Sequence, residues 1–246
     1  MLSNLEGQKI PRAVFHTRSK SGDWTIVTTE EVFKGKTVVL FALPGAFTPT
    51  CSSTHVPRYN ELAPAFFANG VDMVVCVAVN DAFVMNEWAH SQECGNLLLL
   101  PDGNGEFTDR MGMLVDKSDI GFGKRSWRYS MLATDMLIQK MFIEPEKPGD
   151  PFEVSDADTM LAYINPKADK PDQVAILTRE GCGFCAKAKA LLEGAGYDFA
   201  EVNLDHADRS RIVGAITGEG TVPQVFINGR RIGGLEELQH WLKKAA

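Results

Sequence analysis

Two apolar runs, Val38 to Leu43 and, with only Asp72 polar, Val71 to Val79, flank a stretch from Cys51 to Asn69 that reads as a helix. Continuous rather than alternating apolar character is the mark of strands buried on both faces, so the three segments predict a strand, helix, strand unit. Pro57 and Pro64 fall inside the helical stretch, which predicts a kink near Pro57 and a short first turn that holds Cys51. A helix over Ala82 to His90, a strand Leu97 to Leu100 ended by Pro101 and Asp102, and a short helix around Glu106 to Met111 follow. Arg125 to Glu144 alternates in two runs about Thr134 and Asp135, the pattern of a hairpin. Ser155 stands as an N-cap with an acid three residues on, opening a helix to Ile164 that closes the unit.

Asn165 to Pro171, NPKADKP, is short, polar and flanked by prolines, and the pattern restarts at Val174 to Thr178 as a strand. The boundaries that follow are a first domain over residues 1–165, a linker over 166–171 and a second domain over 172–246. The second runs strand, CGFC, helix to Ala195, strand Phe199 to Leu204, helix to Ile216, TVPQVFINGRRIGG and a final amphipathic helix to Lys244. The fold class is α/β, with two domains that each have a central mixed sheet flanked by helices.

Composition narrows the function. A formal net charge of −7 over 246 residues, with no block of Lys or Arg, argues against nucleic-acid binding. No apolar run approaches the roughly 20 residues of a membrane span, and no basic-then-apolar segment opens the chain, so a cytoplasmic location without membrane contact is expected. Five cysteines is an odd count and only Cys182 and Cys185 are close, unlike a secreted disulfide framework. In a reducing compartment such cysteines are catalytic or merely buried.

The stretch Val38 to Cys51, VVLFALPGAFTPTC, delivers a thiol at a helix N-terminus. Unpaired N–H groups and the positive end of the helix dipole there favour thiolate over thiol. Thr48 can accept from a substrate hydroxyl and donate toward the sulfur, and Pro44 can shield it. A fixed cation is still needed to stabilise charge in a displacement at the sulfur. By the strand period of two, Ser126, Arg128 and Ser130 share one face and Trp127, Tyr129 and Met131 the other, so Arg128 is the cation expected there, with Arg125 behind it.

PGAFTPTC followed by SSTHVP, then VAVNDAFVMNEW, then RSWRYSML, resembles the type 5 peroxiredoxins, thioredoxin-fold thiol peroxidases, over about the first two thirds of the chain. The resemblance implies that Cys51 is the peroxidatic cysteine, Thr48 and Pro44 its partners and Arg128 the active-site arginine. Cys51 would attack a hydroperoxide and become a sulfenic acid, with its own backbone N–H helping to hold the peroxide. Some members carry a late resolving cysteine. Here no cysteine lies between Cys94 and Cys182, so the sulfenic acid must be resolved from elsewhere.

In CGFC the first sulfur sits at a helix start and the second one turn inside, which makes Cys182 the attacking thiol and Cys185 the buried resolver. A zinc ribbon would need a second pair, and none exists, so no metal site is expected. Thr221, Val222 and Pro223 read as a cis-proline turn whose Val222 backbone could pair with a peptide-like ligand, while Gly233 and Gly234 open a helix start suited to a carboxylate. The whole of Asp172 to Ala246 resembles a glutaredoxin, which implies glutathione contacts from Arg179, Val222, Pro223, Gly234 and the N–H groups of Leu235 and Glu236. Gly183 and Phe184 stand where that family most often has Pro and Tyr. This departure keeps open a reading in which glutathione and Cys182 of two chains hold an iron–sulfur cluster.

Cys76, in MVVCVAV, and Cys94 are expected to be inert, and His55 to pack beside the site rather than act as a base. Gly121, Gly123 and Lys124 miss the spacing of a phosphate loop. The reading is a peroxiredoxin fused to its own glutaredoxin, reducing hydrogen peroxide or alkyl hydroperoxides with glutathione as co-substrate and no permanently bound cofactor. Fusion raises the local concentration of reductant to about the millimolar scale. A linker over 166–171 spans roughly 20 Å at most, so Cys182 is expected to serve Cys51 of a neighbouring chain in a homo-oligomer. The competing class is a redox relay that passes oxidation to partner proteins.

Overall fold

A computed structural model describes residues 2–19 and 21–245. The chain forms two compact units, Met1–Lys170 and Pro171–Ala246. The first opens with a hairpin of β1 (Val14–Arg18) and β2 (Trp24–Thr28), then α1 (Thr29–Phe33), capped by Thr28 and Glu31 in a reciprocal box, and β3 (Thr37–Ala42). A π-turn, Cys51–His55, leads into α2 (Val56–Ala68), and β4 (Met73–Ala78), α3 (Ala82–Ser91), β5 (Leu98–Pro101) and α4 (Glu106–Arg110) follow. Then come β6 (Leu114–Asp116), β7 (Lys124–Ser126), β8 (Tyr129–Thr134), β9 (Leu137–Ile143) and α5 (Ala157–Ile164).

The central sheet has the order β5-β4-β3-β8-β9, with β5, β4 and β3 parallel, β8 antiparallel to them and β9 antiparallel to β8. Alternation along β3 splits the core. Val39, Phe41 and Leu43 pack with α2, α3 and α5, whereas Val38, Leu40 and Ala42 pack with Phe33 of α1, Phe107 of α4 and Phe15 of β1. Cys51 lies on the first of these faces.

Three details depart from the sequence reading. Helix α5 is capped by the Asp156 side chain, not by Ser155, whose hydroxyl instead donates to Glu144 at 2.7 Å. The hairpin turn is Asp135 and Met136, both at positive φ as a tight β-turn of this kind requires, and Arg125 and Ser126 pair with β6 in a separate two-stranded ribbon. The stretch expected as linker is mostly attached: Ala168 packs on the first core and Lys170 Nζ lies 2.6 Å from Asp158. On the other side Asp172 accepts from Asn228, and Gln173 exchanges hydrogen bonds with the same residue. Pro171 stands between the two anchored ends.

The second unit comprises β10 (Val174–Thr178), α6 (Gly183–Gly194), β11 (Ala200–Asn203), α7 (Arg209–Thr217), β12 (Gln224–Ile227), β13 (Arg230–Gly233) and α8 (Leu235–Ala245). Its sheet order is β11-β10-β12-β13, with β10 and β11 parallel. Ile176, Val225, Ala188, Leu192 and Leu238 form the core under α6 and α8.

Candidate active site

The first site sits at the C-terminal ends of β3 and β4, where parallel strands leave a crevice. Asn80, just past β4, accepts from the N–H of Ala46 at 3.0 Å and so ties down the loop after β3. Gly45 is closely approached: a Cβ there would stand 3.4 Å from Asn80 Oδ1 and 3.5 Å from Arg125 Nη1. Pro44 is buried beside it. Phe47 holds φ at +61°, a strained conformation for an aromatic residue, and the chain then turns into Cys51. Trp88 of α3 donates to the Ser52 hydroxyl at 3.0 Å, fixing the residue next to the cysteine.

Cys51 is fully buried, and its sulfur accepts from Arg128 Nη2 at 3.5 Å. Arg128, between β7 and β8, is 1% exposed, so its charge has left water and must be matched by the protein. Four groups meet it: the sulfur, Nδ1 of His55 at 2.8 Å from Nη1, the carboxylate of Asp150 on Nε and Nη2, and the ring of Phe152 at 5.4 Å. A guanidinium donates and never accepts, so His55 Nδ1 is the acceptor and its proton sits on Nε2, 3.3 Å from the Ser155 carbonyl. Burial and the adjacent Arg128 charge hold His55 well below the usual imidazole range, so the ring is neutral.

The segment between β9 and α5 closes over this group. Its organiser is Glu144, 1% exposed, whose carboxylate accepts from the backbone N–H groups of Glu153, Val154 and Ser155 and from the Ser155 hydroxyl. Burial raises the Glu144 carboxyl, but these donors, Val154 foremost, outweigh it and hold the group below its ordinary value. The loop so shaped presents the Ser155 carbonyl to both His55 and the Tyr59 hydroxyl and lays Phe152 on the His55 ring at 4.8 Å.

Thr48 departs from one half of its expected role, the donation toward the sulfur. Its hydroxyl donates to the Gly45 carbonyl at 2.9 Å, so the proton is committed to the loop and the oxygen is left as an acceptor. Arg125 donates to the Val79 and Phe122 carbonyls and braces the loop wall. Cys76 is fully buried in β4, where burial drives its thiol well above the ordinary value, and burial pushes Cys94 up to about 11.

In the second unit Cys182 caps α6, its sulfur accepting from the Cys185 N–H at 3.2 Å, and the two cysteines are joined in a disulfide. Cys182 is the more exposed, at 9% against 2%. A groove of about 620 Å³ runs beside it, lined by Arg179, Val222, Pro223, Leu235 and Glu236 among others, and the Val222–Pro223 peptide is cis. Gly234 also lines it, but its N–H is already taken by Glu237 Oε2 at 2.9 Å. Gly233, at φ +128°, makes room for that, since a Cβ there would stand 2.9 Å from the Glu237 side chain.

Arg128 meets Cys51, and Thr48 and Pro44 belong to the loop that leads into it; Arg179, Val222, Pro223, Gly234, Leu235 and Glu236 meet Cys182 in one groove. Sequence reasoning missed Asp150, Phe152 and the ordering role of Glu144, which lie in a proline-rich loop without periodicity, EPEKPGDPFEVS. It also missed Arg209, which lines the groove with the exposed Phe184 noted above. Among the described residues no cluster of His, Cys, Asp or Glu is arranged to hold a metal ion.

A family model described as Redoxin matches residues 5–161, and one described as Glutaredoxin matches residues 174–232. The hybrid peroxiredoxin hyPrx5 of Haemophilus influenzae is 56% identical over 98% of this chain and 99% of its own length. A Synechocystis peroxiredoxin, sll1621, is 57% identical over 64% of this chain and 89% of its length. Among solved structures, reduced Prx3 of Vibrio vulnificus in complex with hydrogen peroxide superposes with a TM-score of 0.61 at 41% identity, covering 67% of this chain and 99% of that one.

Proposed function

The chain belongs to the peroxiredoxins, as a thiol peroxidase that carries a glutaredoxin domain behind it, and on that premise we propose that it reduces hydroperoxides at the expense of glutathione. The observation that carries the reading is the Arg128 guanidinium 3.5 Å from the buried Cys51 sulfur. A thiolate there attacks the terminal oxygen of a hydroperoxide, the O–O bond breaks, and the departing oxygen takes a proton to leave as water or an alcohol. Charge that builds on sulfur and oxygen in that displacement faces a fixed cation in a site with little water, where its stabilisation is greatest. Thr48, left with a free acceptor, suits the hydroxyl of the incoming peroxide. Hydrogen peroxide is the first substrate to test, in keeping with the ligand of the Vibrio vulnificus relative.

The product is a Cys51 sulfenic acid. Glutathione thiolate condenses with it and releases water, or Cys182 does so directly. Cys182 then takes over the disulfide, Cys185 closes on it, and two glutathiones return the pair to thiols as glutathione disulfide forms. The groove beside Cys182 fits this role: Arg179 and Arg209 offer cations to carboxylates, and Val222 offers extended backbone beside the sulfur. A reducing, glutathione-rich compartment such as the cytosol suits the cycle, and no helix among the described residues is long and apolar enough to cross a membrane.

Self-association is part of the proposal. Trp24, Ile26 and Val14 share the outward face of the β1–β2 hairpin and are 65%, 55% and 44% exposed, and Phe83 of α3 meets Trp24 edge to face at 5.8 Å. Such a cluster of exposed apolar side chains, with His16 and Arg18 beside it on the same face, is the kind that a second copy covers.

The test is peroxide turnover coupled to glutathione reductase and NADPH oxidation, on the wild type, Cys51→Ser, Cys182→Ser and Cys185→Ser. Loss at Cys51 and Cys182 supports the cycle. Loss at Cys51 with full activity of Cys182→Ser means that free glutathione resolves the sulfenic acid and the second domain is accessory. A wild type that does not turn over with glutathione but forms a lasting disulfide with another protein overturns the reading in favour of a relay.

A further inference from the structure

Arg128 is buried, yet one of the groups that hold it is not a core residue. Asp150 lies in the loop between β9 and α5, with its side chain 36% exposed, and grips Nε at 3.2 Å and Nη2 with its second oxygen. Nη2 is the same nitrogen that donates to the Cys51 sulfur. The guanidinium is planar, so fixing Nε and Nη2 from one edge fixes the direction in which the remaining N–H bonds point. His55 accepts from Nη1 but is neutral and offers a single acceptor, which sets a position without setting a plane.

The loop is built to bring Asp150 to that spot. Glu144 gathers its far end through Glu153, Val154 and Ser155, and Phe152 rests on both His55 and the guanidinium. From outside, Lys117, seated 4.9 Å from the centre of the Trp127 ring, donates to the carbonyl of Gly149, the residue before Asp150. Six contacts from three sides thus locate one carboxylate in a segment of the chain with no helix or strand.

We propose that Asp150 is a positioning residue for peroxide reduction: carried over the site by this strap, it holds the Arg128 guanidinium in the plane that directs Nη2 at the reacting sulfur. The proposal rests on the peroxidase reading above, because it supposes that Arg128 stabilises the displacement at Cys51. It adds that the competence of the buried cation depends on a half-exposed loop, so that whatever lifts the loop disarms the cysteine without touching it.

The test compares two reactions of the same sulfur in the full chain. Oxidation by hydrogen peroxide needs an oriented cation for the departing oxygen, whereas alkylation by the neutral reagent iodoacetamide does not. Both are followed at Cys51 in Asp150→Ala, Asp150→Asn and Asp150→Glu, with thermal melting as a check on folding. The expected result is a ten- to hundredfold fall in the peroxide rate constant of Asp150→Ala. Its alkylation rate should stay within about threefold of wild type, Asp150→Asn should be intermediate and Asp150→Glu should recover most of the loss. Peroxide rates unchanged in Asp150→Ala, or peroxide and alkylation rates that fall together, overturn the proposal while leaving the peroxidase reading intact. That reading fails separately if Cys51 in the wild type reacts with peroxide no faster than in Arg128→Ala, and the proposal falls with it.

Discussion

Arg128 Nη1 lies 2.8 Å from His55 Nδ1, a contact that exists only while the imidazole is neutral and protonated on Nε2. Protonating His55 would set two cations against each other in a fully buried space. His55 is held well below its ordinary value of 6.5, by burial first and by Arg128 second. The unfolded chain therefore binds the proton more readily than the folded one, and the stability this group contributes is present above about pH 6.5 and lost as pH falls below it. The first unit should lose about 1.4 kcal/mol for each pH unit below that point. Glu144 and Asp158, held below their ordinary values, stay ionised between pH 6.5 and 5, whereas burial raises the Asp102 carboxyl, so the comparison with a His55 variant is what isolates the histidine. Urea unfolding of the wild type and of His55→Asn across that window should give a slope for the first and a much flatter line for the second.

Arg128→Lys keeps the charge but not the fork. A lysine ammonium cannot serve the sulfur, His55 and two oxygens of Asp150 from fixed directions, so the peroxide rate constant should drop by about two orders of magnitude. Stopped-flow measurement of Cys51 oxidation checks it, and a drop of less than threefold would mean that charge alone suffices.

Glu144 serves four donors from the interior. Glu144→Ala leaves the Ser155 hydroxyl and three backbone N–H groups without their acceptor, at an expected cost of about 3 kcal/mol. The first unit should melt lower by on the order of 10 °C, and Glu144→Gln, which keeps one acceptor oxygen, should lose less.

Cys94 offers a pH test by mass spectrometry. With its thiol pushed up to about 11 by burial, its alkylation should be slow at pH 8 and rise about tenfold per pH unit up to that value. Cys76, fully buried with its thiol held well above the ordinary value by burial, should remain unlabelled until the unit unfolds. Early labelling of Cys76 in folded protein would contradict the burial described for β4.

The pattern of apolar runs located β3, β4, α3, β5 and the β8–β9 hairpin to within a few residues because each buries a whole face, and burial is what periodicity records. Residues 14–33 carried no such signal. Strands β1 and β2 expose most of their side chains, so their alternation is blurred. In the site, Cys51 and Arg128 were legible because one stands at a loop-to-helix junction and the other alternates with Trp127 and Tyr129 just ahead of the buried strand β8. Asp150 was not, since it reaches Arg128 through a loop whose shape depends on Glu144 and on no local pattern. The capping of α5 was misplaced by one residue for a related reason: the Ser155 hydroxyl is drawn away by Glu144, and Asp156 takes the cap.

The turn that carries Cys51 is wound one residue wide, with the Val56 N–H reaching back five positions to the Cys51 carbonyl. Deleting Ser52, Ser53 or Thr54 would restore ordinary α-helical winding and swing Cys51 by about 100° around the helix axis, away from Arg128. No side chain at those three positions would need to touch the peroxide for the loss to be complete. The number of residues in that turn is therefore as strict a requirement as the cysteine itself.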